Sequence, residues 1–218
     1  LFHHRELVNI GLLDLGGKIE RAAVEAALTE LAEVCLHHGL ELARAQLAPR
    51  PFPTAVTEGR FLVVGMGKLA TRELTYGSDL DVIFLYDSGV SNDEALLQAQ
   101  EYFVRLAQKL IWALRTHTAE GICYEIDAAL RPSGNQGMLV TSLASLERYH
   151  ESGAQVWERQ ALLRARPVAG DPGLGAVFEA LRRKILARPL PAKAEEEIRR
   201  IRQRTESELA RETISRHD

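Results

Sequence analysis

Two short apolar runs and three longer helical ones frame the chain. RFLVV, residues 60–64, is a β-branched and aromatic run that stops at Gly65. LDVIFLY, residues 80–86, is a second such run, bounded by Gly77 before it and by Asp87 and Gly89 after it. Both predict strands. Side chains alternate along a strand, so Leu80, Val82 and Phe84 share one face while Asp79 and Asp81 share the other, about 6 to 7 Å apart at the Cα atoms. Beyond Asp81 both faces are apolar, as in a central strand covered on both sides.

Helical spacing governs most of the remainder. From Lys18 to about Leu47, Ile19, Ala22, Ala23, Ala26, Leu31, Val34, Cys35 and Leu42 recur at helical intervals until Pro49, Pro51 and Pro53 stop the pattern. Ser91-x-x-Glu94 predicts a capping box for a helix reaching about Arg115, with Leu96, Phe103, Leu106, Ala107, Leu110, Ile111 and Leu114 inward, over one face of a sheet. Residues 122–130 alternate, with Cys123, Glu125 and Asp127 opposite Ile122, Tyr124 and Ile126, which predicts a strand. RPSGNQG, residues 131–137, is turn chemistry leading into a strand MLVT, and a helix is expected over residues 142–151. WERQALLRAR is expected to be helical, with Trp157, Gln160, Ala161 and Arg164 on one face. Asp171-Pro172 opens a helix carrying Leu174, Val177, Phe178, Leu181 and Ile185, which Pro189 and Pro191 end. Residues 1–15 form a short helical or irregular segment. Residues 192–214 carry a narrow stripe of Ile198, Ile201, Thr205 and Leu209 that needs another helix to pack on.

Composition narrows the partners rather than the fold. With 46% apolar and 26% charged residues among 218, the chain has ordinary globular make-up, and its net charge of -3 argues against gripping nucleic acid as its main business. No apolar run approaches membrane length, and no signal peptide is expected. Cys35 and Cys123 lie far apart in sequence, without ligand spacing, which fits a reducing cytoplasm and implies neither disulfide nor zinc. His3 and His4 lack partners at metal-binding spacing, and adjacent His37 and His38 diverge by about 100° on a helix. The chain lacks an initiator Met and ends in a charged helix, so it is expected to be part of something longer.

The chemistry concentrates between the first two strands. Gly65 and Gly67 permit a tight turn into a helix of nine or so residues beginning near Lys68, whose first N–H groups would welcome an anion. Asp79 and Asp81 resist double ionisation unless a cation lies between them. With Lys68 and Ser78 close by, the combination points to a triphosphate held between backbone N–H groups and carboxylate-bound Mg²⁺. GMGKLA also fits a weak dinucleotide fingerprint, with Asp87 as the ribose-binding acid, but that leaves Asp79 and Asp81 without a role and needs a longer helix. The spacing of a P-loop is absent.

Glycine turn, helix, then Asp-x-Asp resembles the DNA-polymerase-β-like nucleotidyltransferase superfamily. The string GMGKLATRELTYGSDLDVIFLYD, followed by YEIDAALRPSGNQGMLV and WERQALLRARPVAGD, is similar to the glutamine synthetase adenylyltransferase family over roughly residues 60–188. The resemblance implies an α+β fold: a small mixed sheet with helices over residues 60–170, an N-terminal helical segment over 1–50, and C-terminal helices over 171–218 that begin a truncated helical region. It implies Asp127 as a third metal carboxylate beside Asp79 and Asp81; a half-exposed strand residue is the plainer reading of Asp127. It makes Gly65, Gly67, Lys68, Ser78 and Arg131 candidates for nucleotide contacts. Arg164 and Arg166 are either anion contacts or solvated helix arginines. ATP is the implied substrate, with Mg²⁺ or alternatively Mn²⁺.

The family joins two such units, one attaching AMP to a tyrosine of glutamine synthetase and one removing it by phosphorolysis. RPSG, GMLVTS and WERQALLRARPVAGD resemble the attaching unit. Implied partners are glutamine synthetase and, for the full-length enzyme, a PII-type signalling protein and glutamine, in the cytoplasm. Alternatives are the removing unit and a non-catalytic regulatory nucleotide-binding domain. Ala70 and Thr71 stand where the family usually has paired glycines, and Ala129 where it has an arginine before LRP. These departures touch the turn's packing and one phosphate contact. They leave the three aspartates intact.

Overall fold

The computed structural model describes residues 2–48, 50–192 and 194–203. In chain order the elements are α1 (Phe2–Leu15), α2 (Arg21–Leu47), α3 (Thr54–Thr57), β1 (Arg60–Met66), α4 (Gly67–Thr71), β2 (Leu80–Asp87), α5 (Asp93–Arg115), β3 (Ile126–Asp127), β4 (Val140–Ser142), α6 (Leu143–Ser152), α7 (Val156–Ala161), β5 (Ala165–Gly170) and α8 (Pro172–Leu186). The strands form one mixed sheet in the order β3-β2-β1-β5, with β4 also paired to β2. This is the expected α+β architecture.

β2 is the central strand. It runs antiparallel to β1 from Arg60↔Asp87 to Gly65↔Val82. Its other edge is shared by two parallel partners, β3 beside Leu80 and Asp81, and β4 beside Phe84 to Tyr86. Alternation then sends its side chains into two cores. Leu80, Val82, Phe84 and Tyr86 join Phe61 and Val63 against α2 and α5, where Phe61 stacks between Phe84 and Phe103 at 5.9 Å from each. Ile83 and Leu85 join Leu62, Val64 and Met66 against Leu146 of α6 and Leu174, Phe178, Leu181 and Ile185 of α8. Helices therefore cover both faces, which is why β2 tolerates apolar residues on each.

Several elements depart from expectation for local reasons. The cap of α5 is Asn92, whose side chain accepts from Ala95 N at 2.8 Å, one residue beyond Ser91. β3 contains two residues instead of nine. Upstream of it, Cys123 N and Tyr124 N both donate to Leu114 O at the end of α5, which draws the segment out of the sheet. α4 has five residues, not nine, because Arg72 enters the left-handed region (φ 62°) and ends it. The expected helix over WERQALLRAR stops as α7 at Ala161; a 3-10 turn over Leu162–Arg164 follows, and then strand β5. Pro167 is tolerated there because β5 is an edge strand whose register with β1 shifts between Val63 and Val64. Ile198 and Ile201 lie in a helical stretch over residues 194–203, while Thr205 and Leu209 fall outside the described residues.

Candidate active site

The parallel pairing of β2 with β3 sets Asp81 directly beside Asp127. Asp79, exposed, stands two residues before Asp81 at the entrance to β2. Asp81 is half-buried, and its carboxyl is pushed above the usual range first by burial, then by the negative charges of Asp127 and Asp79, with Lys68 and Arg164 partly opposing. Three carboxylates thus act on one another at one end of the central strand. Asp127 is held in place by its own turn, since its Oδ1 accepts from Ala129 N at 2.7 Å.

The glycine turn delivers backbone to that end. A Cβ on Gly65 would sit 2.8 Å from both Leu69 and Val168, so only glycine lets α4 pack this closely on β1 and β5. Gly67 has φ +52°, and a Cβ there would lie 3.0 Å from Asp81 Oδ2. The first turn of α4 therefore faces the carboxylates with N–H groups that have no partner within the helix. With five residues its dipole is small, and an anion there would depend on those N–H groups and on exposed Lys68.

The remaining candidates brace the site. Ser78 Oγ accepts from Thr75 N at 3.1 Å and lies 2.9 Å from Thr75 Oγ1, folding the turn just ahead of Asp79. Arg131 donates to Ala128 O at 2.6 Å and to Gly137 O at 3.2 Å, cross-linking the turn that follows Asp127. Arg164 donates to Thr71 Oγ1 at 2.9 Å and to Glu73 at 2.5 Å. Arg166 donates to Ala70 O at 3.0 Å, Leu69 O at 3.2 Å and Glu33 at 2.5 Å, satisfying the last carbonyls of α4 and tying it to α2. Arg164 is exposed at the end of the 3-10 turn, whereas Arg166 lies on β5 and is half-buried. Glu158, buried between α6 and the 131–137 turn, escaped the sequence reading because helical spacing placed Trp157, Gln160 and Ala161 on the face that mattered.

Metal chemistry fits the donor set in one particular way. Among the described residues no three His, Cys, Asp or Glu side chains are gathered closely enough to hold an ion by themselves. Mg²⁺ does not need such a cage, because it commonly takes one or two carboxylates together with substrate phosphates. Hard oxygen donors, mutual repulsion at Asp81 and an adjoining glycine turn suit Mg²⁺ or Mn²⁺ arriving with a nucleotide. The dinucleotide alternative fails on topology. β1 and β2 are antiparallel, not the parallel pair of a βαβ unit, and Asp87 is paired with Arg60 at the far end of β2.

A small mixed sheet between helical layers, with an acidic pair entering its central strand beside a glycine turn, defines the class: an α+β nucleotidyltransferase core. Residues 1–181 match the family model described as glutamate-ammonia ligase adenylyltransferase, and the chain belongs to that family. It is also similar to the bifunctional glutamine synthetase adenylyltransferase/adenylyl-removing enzyme of Thioalkalivibrio sulfidiphilus (strain HL-EbGR7), at 39% identity over 226 residues. That alignment covers 99% of this chain and 23% of the relative, so the chain spans less than a quarter of the relative's length. The family match reaches back through α1 and α2, beyond the motifs that carried the resemblance. Among the described residues no helix is long and apolar enough to cross a membrane.

Proposed function

We propose that this chain is an AMP-attaching unit, transferring AMP from ATP to a tyrosine of glutamine synthetase with release of pyrophosphate and so regulating nitrogen assimilation. The observation that carries the reading is the lateral pairing of Asp81 with Asp127, with Asp79 two residues upstream and the Gly67 backbone against Asp81. In this reading Asp79 and Asp81 would hold the cation that accompanies ATP, and the first N–H groups of α4 and Lys68 would receive phosphate oxygens. Asp127 would join in holding a second ion and favour the tyrosine oxygen as nucleophile, with pyrophosphate leaving in line. Bound Mg²⁺, or Mn²⁺ in its place, would neutralise charge on the transferring group. A PII-type protein and glutamine would act on the full-length enzyme in the cytoplasm.

Two features favour attachment over removal. Phosphorolysis needs cations fixed where inorganic phosphate attacks, whereas the positions flanking Leu130-Arg131-Pro132 are Ala129 and Ser133, and Arg131 donates to backbone carbonyls. A cavity of about 190 Å³ beside Asp79, walled by Leu7, Leu28, Leu74, Ile122 and Tyr124, suits an aromatic ring better than a phosphate. With inorganic phosphate and adenylylated synthetase the chain should therefore form little ADP. ADP release faster than AMP attachment would assign it to removal. The intact carboxylate set argues against a purely regulatory domain.

Nucleotide binding has its own check. Ligand at about 100 times its dissociation constant stabilises the fold by roughly 2.7 kcal/mol. ATP with Mg²⁺ should raise the melting temperature, and NADH should not. The reverse pattern would contradict the site assignment.

A further inference from the structure

Glu158 is 6% exposed, and no other Asp, Glu, Lys or Arg among the described residues is buried so completely. A carboxylate so placed costs stability unless each oxygen finds donors. Its Oε2 accepts from Gln155 N at 2.8 Å, an ordinary capping-box contact at the start of α7. That contact needs one oxygen and no burial. The other oxygen reaches away from α7: Oε1 accepts from Ser133 N at 3.2 Å, and the Tyr149 hydroxyl lies 2.8 Å from both oxygens. Ser133 N also lies 3.3 Å from Tyr149 Oη.

What Glu158 grips is the turn that follows Asp127. Ser133 holds φ +62°, a left-handed conformation that a non-glycine residue adopts only when its surroundings impose it. From Ser133 the links run back without a gap. Gly134 N donates to Arg131 O at 2.8 Å, Arg131 Nη1 donates to Ala128 O at 2.6 Å, and Ala129 N donates to Asp127 Oδ1 at 2.7 Å. β3 is only two residues long, so sheet pairing alone fixes Asp127 weakly. The acid most exposed to movement is thus tethered through the turn to α6 and α7.

We propose that Glu158 is a positioning residue for Asp127: with Tyr149 it clamps the 128–137 turn so that the Asp127 carboxylate stays in register with Asp81. The inference rests on the AMP-attaching reading for its kinetic consequence, but not for its structural one. Groups that orient a metal ligand typically cost about 10- to 100-fold in metal affinity or activity when removed.

Glu158→Gln in the full chain is the test, because glutamine preserves the capping box while giving up one acceptor oxygen. In the metal-free protein, amide hydrogen exchange over residues 128–137 should accelerate while α5 keeps wild-type protection. In AMP transfer, kcat should fall about tenfold and half-saturating Mg²⁺ should rise, with the KM for ATP changed less than about twofold. Unchanged exchange in 128–137, or exchange raised evenly along the chain, would overturn the clamp, as would a wild-type Mg²⁺ dependence. Should Glu158→Gln not fold, Tyr149→Phe removes the hydroxyl alone and must show the same local acceleration. A wild-type chain without AMP transfer would sink the functional reading, and the exchange measurement would then decide the clamp by itself.

Discussion

Asp81→Asn is expected to abolish AMP transfer while leaving the metal-free protein more stable than wild type at neutral pH. The two effects have one cause. Asp81 is half-buried with Asp127 and Asp79 close enough to raise its pKa, so without a cation its charge opposes folding. With a cation that same charge becomes the strongest local attraction, and losing it removes several kcal/mol of transition-state stabilisation, about a hundredfold to a thousandfold in rate. Asp79→Asn and Asp127→Asn should lose activity alike. The pH dependence follows from the direction of the shift. A carboxyl whose folded pKa is raised binds more protons folded than unfolded, so its contribution to stability is present below the unfolded pKa and is lost as pH rises through the folded one. In chelator, the advantage of Asp81→Asn should therefore appear at neutral pH and vanish in acid below the unfolded pKa. A variant of Asp127 with wild-type turnover would show that another residue is the third acid.

Gly170→Ala should be among the most damaging small substitutions in the fold. Gly170 ends β5 at φ +106°, and a Cβ there would stand 2.2 Å from the Phe61 carbonyl oxygen. That oxygen cannot easily retreat, because it accepts from Asp171 N at 2.8 Å as the chain turns into α8. Strain of this backbone type and overpacking each cost of the order of 1 to 3 kcal/mol, so a loss of about 3 kcal/mol is expected. For a domain of this size that lowers the melting temperature by about 6 to 12 °C. Gly11→Ala on α1, with nothing within 4 Å and a helical backbone, is the control and should be neutral or slightly stabilising. Equal melting temperatures for the two variants would mean that β5 is not where the structure places it.

Periodicity explains which parts of this fold are legible in the sequence. β1, β2, α2, α5 and α8 carry clean two-residue or helical spacing, and the acidic pair before an apolar strand marks one end of β2. β5 is hidden because ARPVAG contains a proline and a terminal glycine, and its strand character comes from pairing with β1, not from its own pattern. β3 is overestimated for the opposite reason. Residues 122–127 alternate well, yet the hydrogen bonds to Leu114 O take the first part away. The acids were legible, but the means of holding them was not. Arg166 on Leu69 O and Ala70 O, and Glu158 on Ser133 N, are contacts between segments distant in sequence. Cys35 and Cys123, distant in sequence, likewise come to line one pocket, as free thiols.

The central claim is that these residues attach AMP to a protein. Incubating the chain with ATP labelled at the α-phosphate, Mg²⁺ and unmodified glutamine synthetase tests it directly. The account predicts label on a synthetase tyrosine, pyrophosphate released in equal amount, and neither with Asp81→Asn. An unlabelled synthetase, from a chain that Mg²⁺ and ATP demonstrably stabilise, would contradict it.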